Sequence, residues 1–427
     1  MNHSPEISRR AALAYTTASL AAGCFGRPTP LAAADNLPAK PPARLPRVAA
    51  INTIYRFRSH AYHIAGRFIH GYSREGFHHQ PPFKLVRMFN DQYPSDDLSR
   101  EVCRRHDVQL CTSVAEALGG KQLDVDAVLL IAEHGDYPLN EFRQILYPRY
   151  KLFEQIVEVF RTSGRSVPVF SDKHLSYDHR LAARMVATSR ELKFGLMAGS
   201  SIPVTWRRPE FEPPLGTPFR EGLVTFGSDH PTPEVYLFHA LEGLQCMLER
   251  RVGGETGVRS VTGLTGDAVW KAGDDGRWSW DLFRAALATS PSLNIGSVRE
   301  NVERPVALLI EYRDGTRGTV INLSGHTTDL CFAGNVAGRQ QPLATCFYLP
   351  APPGAKYFNA LVSNIERFFT SGRPPYPIER TLLTSTVLDL GMHSLHDNHP
   401  QQAPALEIRY TPPADSGFFR GSYTDAL

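Results

Sequence analysis

The sequence predicts an α/β protein in two parts: a Rossmann-like domain with a parallel sheet, then an α+β domain with a mostly antiparallel open sheet. Three observations carry this prediction. Up to about residue 205, short apolar runs alternate with amphipathic stretches, as in a parallel sheet covered on both faces. Beyond that point the texture changes, and the segment VALLIEYRDGTRGTVINL reads as a hairpin turning at Asp314 and Gly315. The length of 427 residues also exceeds what one ordinary core holds.

Taken in order, residues 1–34 place Ser8, Arg9 and Arg10 ahead of AALAYTTASLAAG, and LAAAD offers small residues for cleavage. This is the order of a twin-arginine export signal, so a periplasmic or exported protein is expected. Lipid anchoring at Cys24 is the lesser alternative, because the residues before it include no large aliphatic at the required place. Residues 35–46 form a Pro- and Ala-rich linker, residues 47–205 the first domain and residues 206–427 the second. Five cysteines remain past the signal, with no C-x-x-C pair, which gives no zinc or redox motif. Cys331 and Cys346 are candidates for a bridge, with buried free thiols the preferred reading.

Within the first domain, strands are expected over residues 47–53, 84–90 and 125–132, with a helix over residues 59–69. The stretch over residues 167–209 reads as strand, charged triplet, helix and strand, a right-handed parallel crossover in which Ser176 is placed as the helix cap. In the second domain Thr232 caps a helix starting at Pro233, whose buried stripe is Leu237, Leu241, Leu244 and Leu248. His239 lies off that stripe. Two closing helices follow, one with Phe358, Leu361, Val362, Ile365 and Phe369 turned inward, the other starting near Ile378.

The composition is that of a globular chain, with 42% hydrophobic and 21% charged residues. A formal net charge of +3 and the lack of basic runs interleaved with aromatics exclude nucleic acid as the expected partner. No apolar stretch reaches the length of a membrane span.

The chemistry-bearing residues cluster at strand ends. Asp172, Lys173 and His174 end one strand, and Glu133, His134 and Asp136 end another. Ligands of open parallel sheets sit at these carboxyl ends. Such a set suits acid–base work or a divalent metal, with a plain Glu133–Lys173 salt bridge as the structural alternative. Trp206, Arg207 and Arg208 suit a sugar or carboxylate, or equally packing between domains. A dinucleotide site needs glycines after the first strand, so that the backbone approaches the pyrophosphate. That place reads INTIYRFRSHAYHIAG, with no glycine before Gly66.

The element order, together with VDAVLLIAEHGDYP, VFSDKH and YLFHALEGLQC, resembles the Gfo/Idh/MocA superfamily, which includes glucose-fructose oxidoreductase and inositol dehydrogenase. The resemblance covers about residues 46–400. It implies a nucleotide-binding domain and an α+β domain, Lys173 as the catalytic lysine and His239 as the second catalytic residue, with Asp172 and His174 beside them. It further implies NAD(P), held by Asn52, Tyr55, Arg56, Asp91, Glu133 and His134, with Asp91 on a ribose hydroxyl. A carbohydrate substrate and a homo-oligomer follow from the same resemblance. Without its glycines, the pyrophosphate position is expected to be filled by Tyr55 or Arg56. Two enzymatic readings therefore stand. One is an exported sugar oxidoreductase with Lys173 and His239 as acid–base pair. The other is a nicotinamide-independent lyase, epimerase or hydrolase on an oxidised or acidic sugar, with or without a metal. A non-catalytic sugar-binding protein is the third.

Overall fold

The computed structural model describes residues 44–350 and 354–421. The export signal and most of the linker lie outside the described residues. The first sheet contains β1 (Arg47–Asn52), β4 (Lys84–Asn90), β5 (Gln109–Cys111), β6 (Ala127–Ile131), β7 (Val169–Asp172) and β8 (Leu196–Gly199), and β2 (Tyr72–Arg74) pairs with β3 (Phe77–His79) in a separate hairpin. The six strands are all parallel and run in the order β5-β4-β1-β6-β7-β8, the order of a dinucleotide-binding sheet with its switch point between β1 and β6. Alternation along the strands supplies two cores. Ala50, Leu129 and Phe170 face one layer, while Ala49, Leu130 and Val169 face the other.

The helices of this domain are α1 (His60–His70), α2 (Ser99–Arg105), α3 (Val114–Leu118), α4 (Arg149–Ser163) and α5 (His179–Glu191). Ser59 caps α1 by accepting from the Tyr62 amide. The cap of α5 is Asp178, not Ser176, because the helix begins two residues later than expected and the Asp178 carboxylate accepts from the Arg180 amide at 2.7 Å. Ser176 instead accepts from the Asp178 amide at 3.3 Å.

The second sheet is built from β9 (Arg207–Arg208), β10 (Phe219–Phe226), β11 (Val258–Thr265), β12 (Val306–Tyr312), β13 (Arg317–Asn322), β14 (Leu330–Val336) and β15 (Leu343–Phe347), in the order β11-β12-β13-β10-β14-β15-β9. All neighbours are antiparallel except β10 and β13. The hairpin at Asp314 and Gly315 joins β12 to β13, with Gly315 at φ 88°, a conformation that glycine adopts without strain. Cys331 and Cys346 face each other across β14 and β15 as free, buried thiols.

Helix α6 (Glu234–Leu248) lies on one face of this sheet, with Leu237, Leu241, Leu244 and Leu248 buried as expected. The opposite face is covered by α7 (Asp267–Asp274) and α8 (Trp280–Leu287), and the short α9 (Val298–Asn301) precedes β12. Two final helices tie the sheets together. The inward side of α10 (Tyr357–Ser371) joins the core of the first sheet, although the helix follows the second sheet in sequence. Helix α11 (Ile378–Asp397) packs against α5 on one side and α6 on the other.

That junction contains a buried ion pair. Arg380 on α11 donates to Glu249, the residue closing α6, through Nε at 2.8 Å and through a second guanidinium nitrogen. Both side chains are at most 1% exposed. Removing one partner of such a pair strands a buried charge, at a cost of about 3–5 kcal/mol. R380A should therefore lower the urea midpoint of unfolding, followed by fluorescence, by far more than R373A, which truncates an exposed arginine. Equal midpoints for the two variants would refute this account of the junction.

Candidate active site

Three strand ends and the first half of α6 converge on a cavity of about 270 Å3. Its polar lining comes from His60, Glu133, His134, Lys173, Ser200 and His239, and its apolar walls include Phe226, Leu330, Tyr357 and Phe358. Lys173 follows β7 with φ 68°, a left-handed backbone that costs a non-glycine residue roughly 1–2 kcal/mol. Its amide donates to the Gly199 carbonyl at 3.1 Å, which fixes the turn and directs the side chain inward.

The Lys173 ammonium donates to His239 Nε2 at 2.7 Å and to the Val235 carbonyl at 3.3 Å, and it lies 3.5 Å from Glu133 Oε1. An ammonium has no lone pair to offer, so His239 Nε2 is the acceptor and the imidazole proton sits on Nδ1. Nδ1 then donates to Ser200 Oγ at 3.0 Å, and Ser200 is hydrogen-bonded to Glu242, both through its hydroxyl and through its amide at 2.9 Å. Burial, reinforced by the charge of Lys173, holds His239 neutral, well below the ordinary imidazole value. Burial likewise pushes the Glu242 carboxyl up to about 7, against the opposing hydrogen bonds from Ser200. A continuous hydrogen-bonded chain, Lys173–His239–Ser200–Glu242, thus runs from the cavity into the protein.

Glu133 is the countercharge. Burial disfavours its charged form, but Lys173 and Arg149 outweigh that and hold it below the usual carboxylate range. Arg149 is itself buried and also donates to His174 Nε2 at 3.0 Å. His174 therefore does not line the cavity; its ring packs near Phe238, and burial keeps it neutral. Asp172 is fully buried and accepts from His60 Nδ1 at 2.6 Å. Trp206 and Arg207 are buried in packing, with Arg207 over the Phe418 and Phe347 rings, and neither reaches the cavity.

Of the residues singled out in the sequence, Lys173, His239, Glu133 and His134 line this cavity, and Asp172 lies buried behind His60. The sequence reading missed His60, Ser200 and Glu242. Glu242 stands one helical turn after His239, a spacing visible in the sequence, whereas His60 meets Asp172 only through the tertiary fold.

A divalent metal does not fit among Glu133, His134, Asp172 and His174. The oxygens of Glu133 already face two cations, and His174 uses its Nε2 on Arg149. Among the described residues, metal-ligand spacing occurs at Asp178, His179 and Asp389, away from the cavity. There the Asp389 carboxylate is already taken by His179 Nδ1 at 2.7 Å and Gln144 at 3.1 Å.

Protein groups meet the N-terminus of α1, the place where a sheet of this order holds a pyrophosphate. Tyr55 is fully buried in the first core, with its hydroxyl close to Gly66 of α1, and Arg56 turns outward to Asp96 at 3.4 Å. Neither side chain is bonded to the first amides of α1. The N-terminus of α1 is met by His134, whose Nδ1 lies 3.5 Å from the His60 amide. Burial, and then the proximity of His60, lower the His134 imidazole to about 3, so it is neutral there. The segment after β6 then continues to the end of β4. The Asp136 amide and carbonyl both bond Gln92 at 2.9 Å, and the Tyr137 hydroxyl donates to Asp91 at 2.7 Å. Since β1 lies between β4 and β6, this strap crosses the carboxyl end of β1. Beneath it, Asn52 and Thr53 are fully buried. The expected ribose ligand Asp91 is thereby engaged by the protein, and the cavity, small beside the about 300–1,000 Å3 usual for ligand pockets, suits a monosaccharide-sized molecule.

No protein-family model matches the sequence, and no curated protein matches it. Solved structures do. A probable dehydrogenase from Thermotoga maritima superposes with a TM-score of 0.51 at 12% identity, covering 85% of this chain and 100% of that one. GenD2 from gentamicin A biosynthesis, solved in complex with NAD, gives 0.51 at 15% identity, covering 84% and 97%. Myo-inositol 2-dehydrogenase from Lactobacillus plantarum gives 0.51 at 11% identity, covering 84% and 99%. The fold is that of the two-domain Gfo/Idh/MocA oxidoreductases.

The Glu242 carboxyl makes a pH signature. The unfolded chain releases this proton near the ordinary glutamate value of 4.5, while the folded chain keeps it to about 7. Stability falls as pH rises through that window, by about 1.4 kcal/mol per unit at most. E242Q, which has no such proton, should gain stability relative to the unsubstituted protein between pH 5 and pH 8 in urea titrations; a difference independent of pH would contradict the assignment.

Proposed function

We propose that the protein is an acid–base enzyme acting on a sugar or sugar derivative, with Lys173 and His239 sharing the proton. The observation that carries this is the 2.7 Å contact between Lys173 Nζ and His239 Nε2 inside a cavity walled by polar groups and aromatic rings. A lysine ammonium there donates to a substrate hydroxyl or carbonyl oxygen, and the chain through His239 and Ser200 passes or takes up the proton without opening the site to water. Tyr236 and Tyr357 line the same cavity and offer faces and hydroxyls of the kind that hold a polyol.

The missing glycines and the protein contacts at the N-terminus of α1 favour the nicotinamide-independent form, a lyase, epimerase or hydrolase on an oxidised or acidic sugar. The second reading, a nicotinamide-dependent sugar oxidoreductase, is favoured by the fold shared with dehydrogenases, one of them solved with NAD. In that reading the strap over β1 has to move aside. Export by the twin-arginine route and a homo-oligomer belong to the proposal on the strength of the N-terminal residues and the resemblance of the whole chain.

Calorimetry with millimolar NAD(H) and NADP(H) separates the two forms, with no binding expected; saturable binding together with substrate-dependent nicotinamide reduction would establish the second. In a screen of sugars, inositols and uronic acids, K173A should lower turnover of any accepted compound by about 10²–10⁴-fold, the usual scale for a lost general acid or base. Turnover unchanged in K173A would end the proposal.

A further inference from the structure

Lys173 is not alone in the cavity. His60, the first residue of α1, lines it as well, and its Nδ1 lies 2.6 Å from Asp172 Oδ2. Asp172 is fully buried, and its other oxygen has no protein partner. A buried carboxylate accepts, so Nδ1 of His60 carries a proton; in the neutral ring Nε2 is then the lone-pair nitrogen, and it has no protein partner among the described residues. The ring is held by edge contacts with His134 and Phe358, at centroid distances of 5.1 Å each. A carboxylate that orients an imidazole and steadies its positive charge is the arrangement by which histidine becomes a general base. The first turn of α1 holds no acidic residue, and the partner comes from the end of β7.

We infer that His60, positioned by Asp172, is a second proton-transfer centre of this cavity, and that the substrate is a sugar acid or keto sugar whose carbon-bound proton, next to the carboxylate or carbonyl, is removed there. The inference rests on the reading of the cavity as a sugar site. His60 Nε2 takes the proton, the C–H electron pair moves into the enolate, and the enolate oxygen accepts from the Lys173 ammonium. Return of a proton to carbon from Lys173 gives the epimer; loss of a neighbouring hydroxyl as water, with a proton from Lys173, gives the elimination product. Neither outcome changes the oxidation state of protein or cofactor, and no external oxidant is needed. Two proton-handling groups on separate elements, α1 and β7, are what such a reaction requires and what a simple sugar-binding site does not.

The test uses the folded chain in D2O with a panel of uronic acids, aldonic acids and keto sugars. Binding is followed by thermal shift, and the proton next to the carboxylate or carbonyl by NMR. The unsubstituted protein should exchange that proton for deuterium in at least one compound it binds. H60Q and D172N should bind the same compound and lose exchange by about 100-fold or more, and imidazole added to H60A should restore part of it. Binding without exchange by the unsubstituted protein, or exchange that survives H60Q, overturns this inference and leaves the sugar site standing. Should no panel compound bind, the sugar-site reading itself falls, and this inference with it. If H60Q does not fold, D172N and the rescue of H60A decide the question.

Discussion

A lysine ammonium with only 2% of its residue exposed is the constraint on which the rest of the site depends. In a low-dielectric interior such a charge is tolerated only with a countercharge and a full set of acceptors. Glu133 supplies the first, and His239 Nε2 and the Val235 carbonyl supply the second. Glu133 follows β6 while Val235 and His239 both lie on α6, so placing one charge fixes the mutual positions of β6, β7 and α6. Arg149 then offsets the remaining charge of Glu133 and brings in α4.

The same electrostatics explain why His239 works as an acceptor. Next to a buried cation it stays neutral, and Ser200 holds its proton on Nδ1. Glu242, protonated up to about pH 7, ends the chain as a neutral group and adds no charge there. The helix junction with Arg380 and Glu249 lies at the far end of α6 and pairs its own charges separately.

The first βα turn shows how one fold can keep its topology and change its use. In this sheet order the N-terminus of α1 favours an anion through its dipole and free amides. Here a neutral imidazole meets the first amide, and Ser59 takes the Tyr62 amide. Without glycines the loop has side chains to place, and Ile54 and Tyr55 go into the core. The loop is thereby pinned, with the Leu98 amide donating to the Tyr55 carbonyl. A strap made of residues 133–137 closes what a nucleotide would leave open, and the N-terminal end of α1 becomes a wall of the cavity through His60.

Sequence alone determined the two-part architecture, since continuous apolar runs, the period of the helices and the Asp314-Gly315 turn are local properties of the chain. It also drew attention to Lys173 and His239, which line the cavity, because a charged triplet ending an apolar strand and a histidine off a helix stripe are visible in one dimension. The missing glycines were equally legible; the residue that takes their place was not. Tyr55 and Arg56 are adjacent to that position in sequence, yet His134, about eighty residues away, is the one brought to it, because β6 neighbours β1 in the sheet. His60 and Asp172 likewise meet across 112 residues. Pairings of this kind depend on strand order and on which way each side chain leaves a strand end, and those are decided only when the sheet closes and buries its charges together.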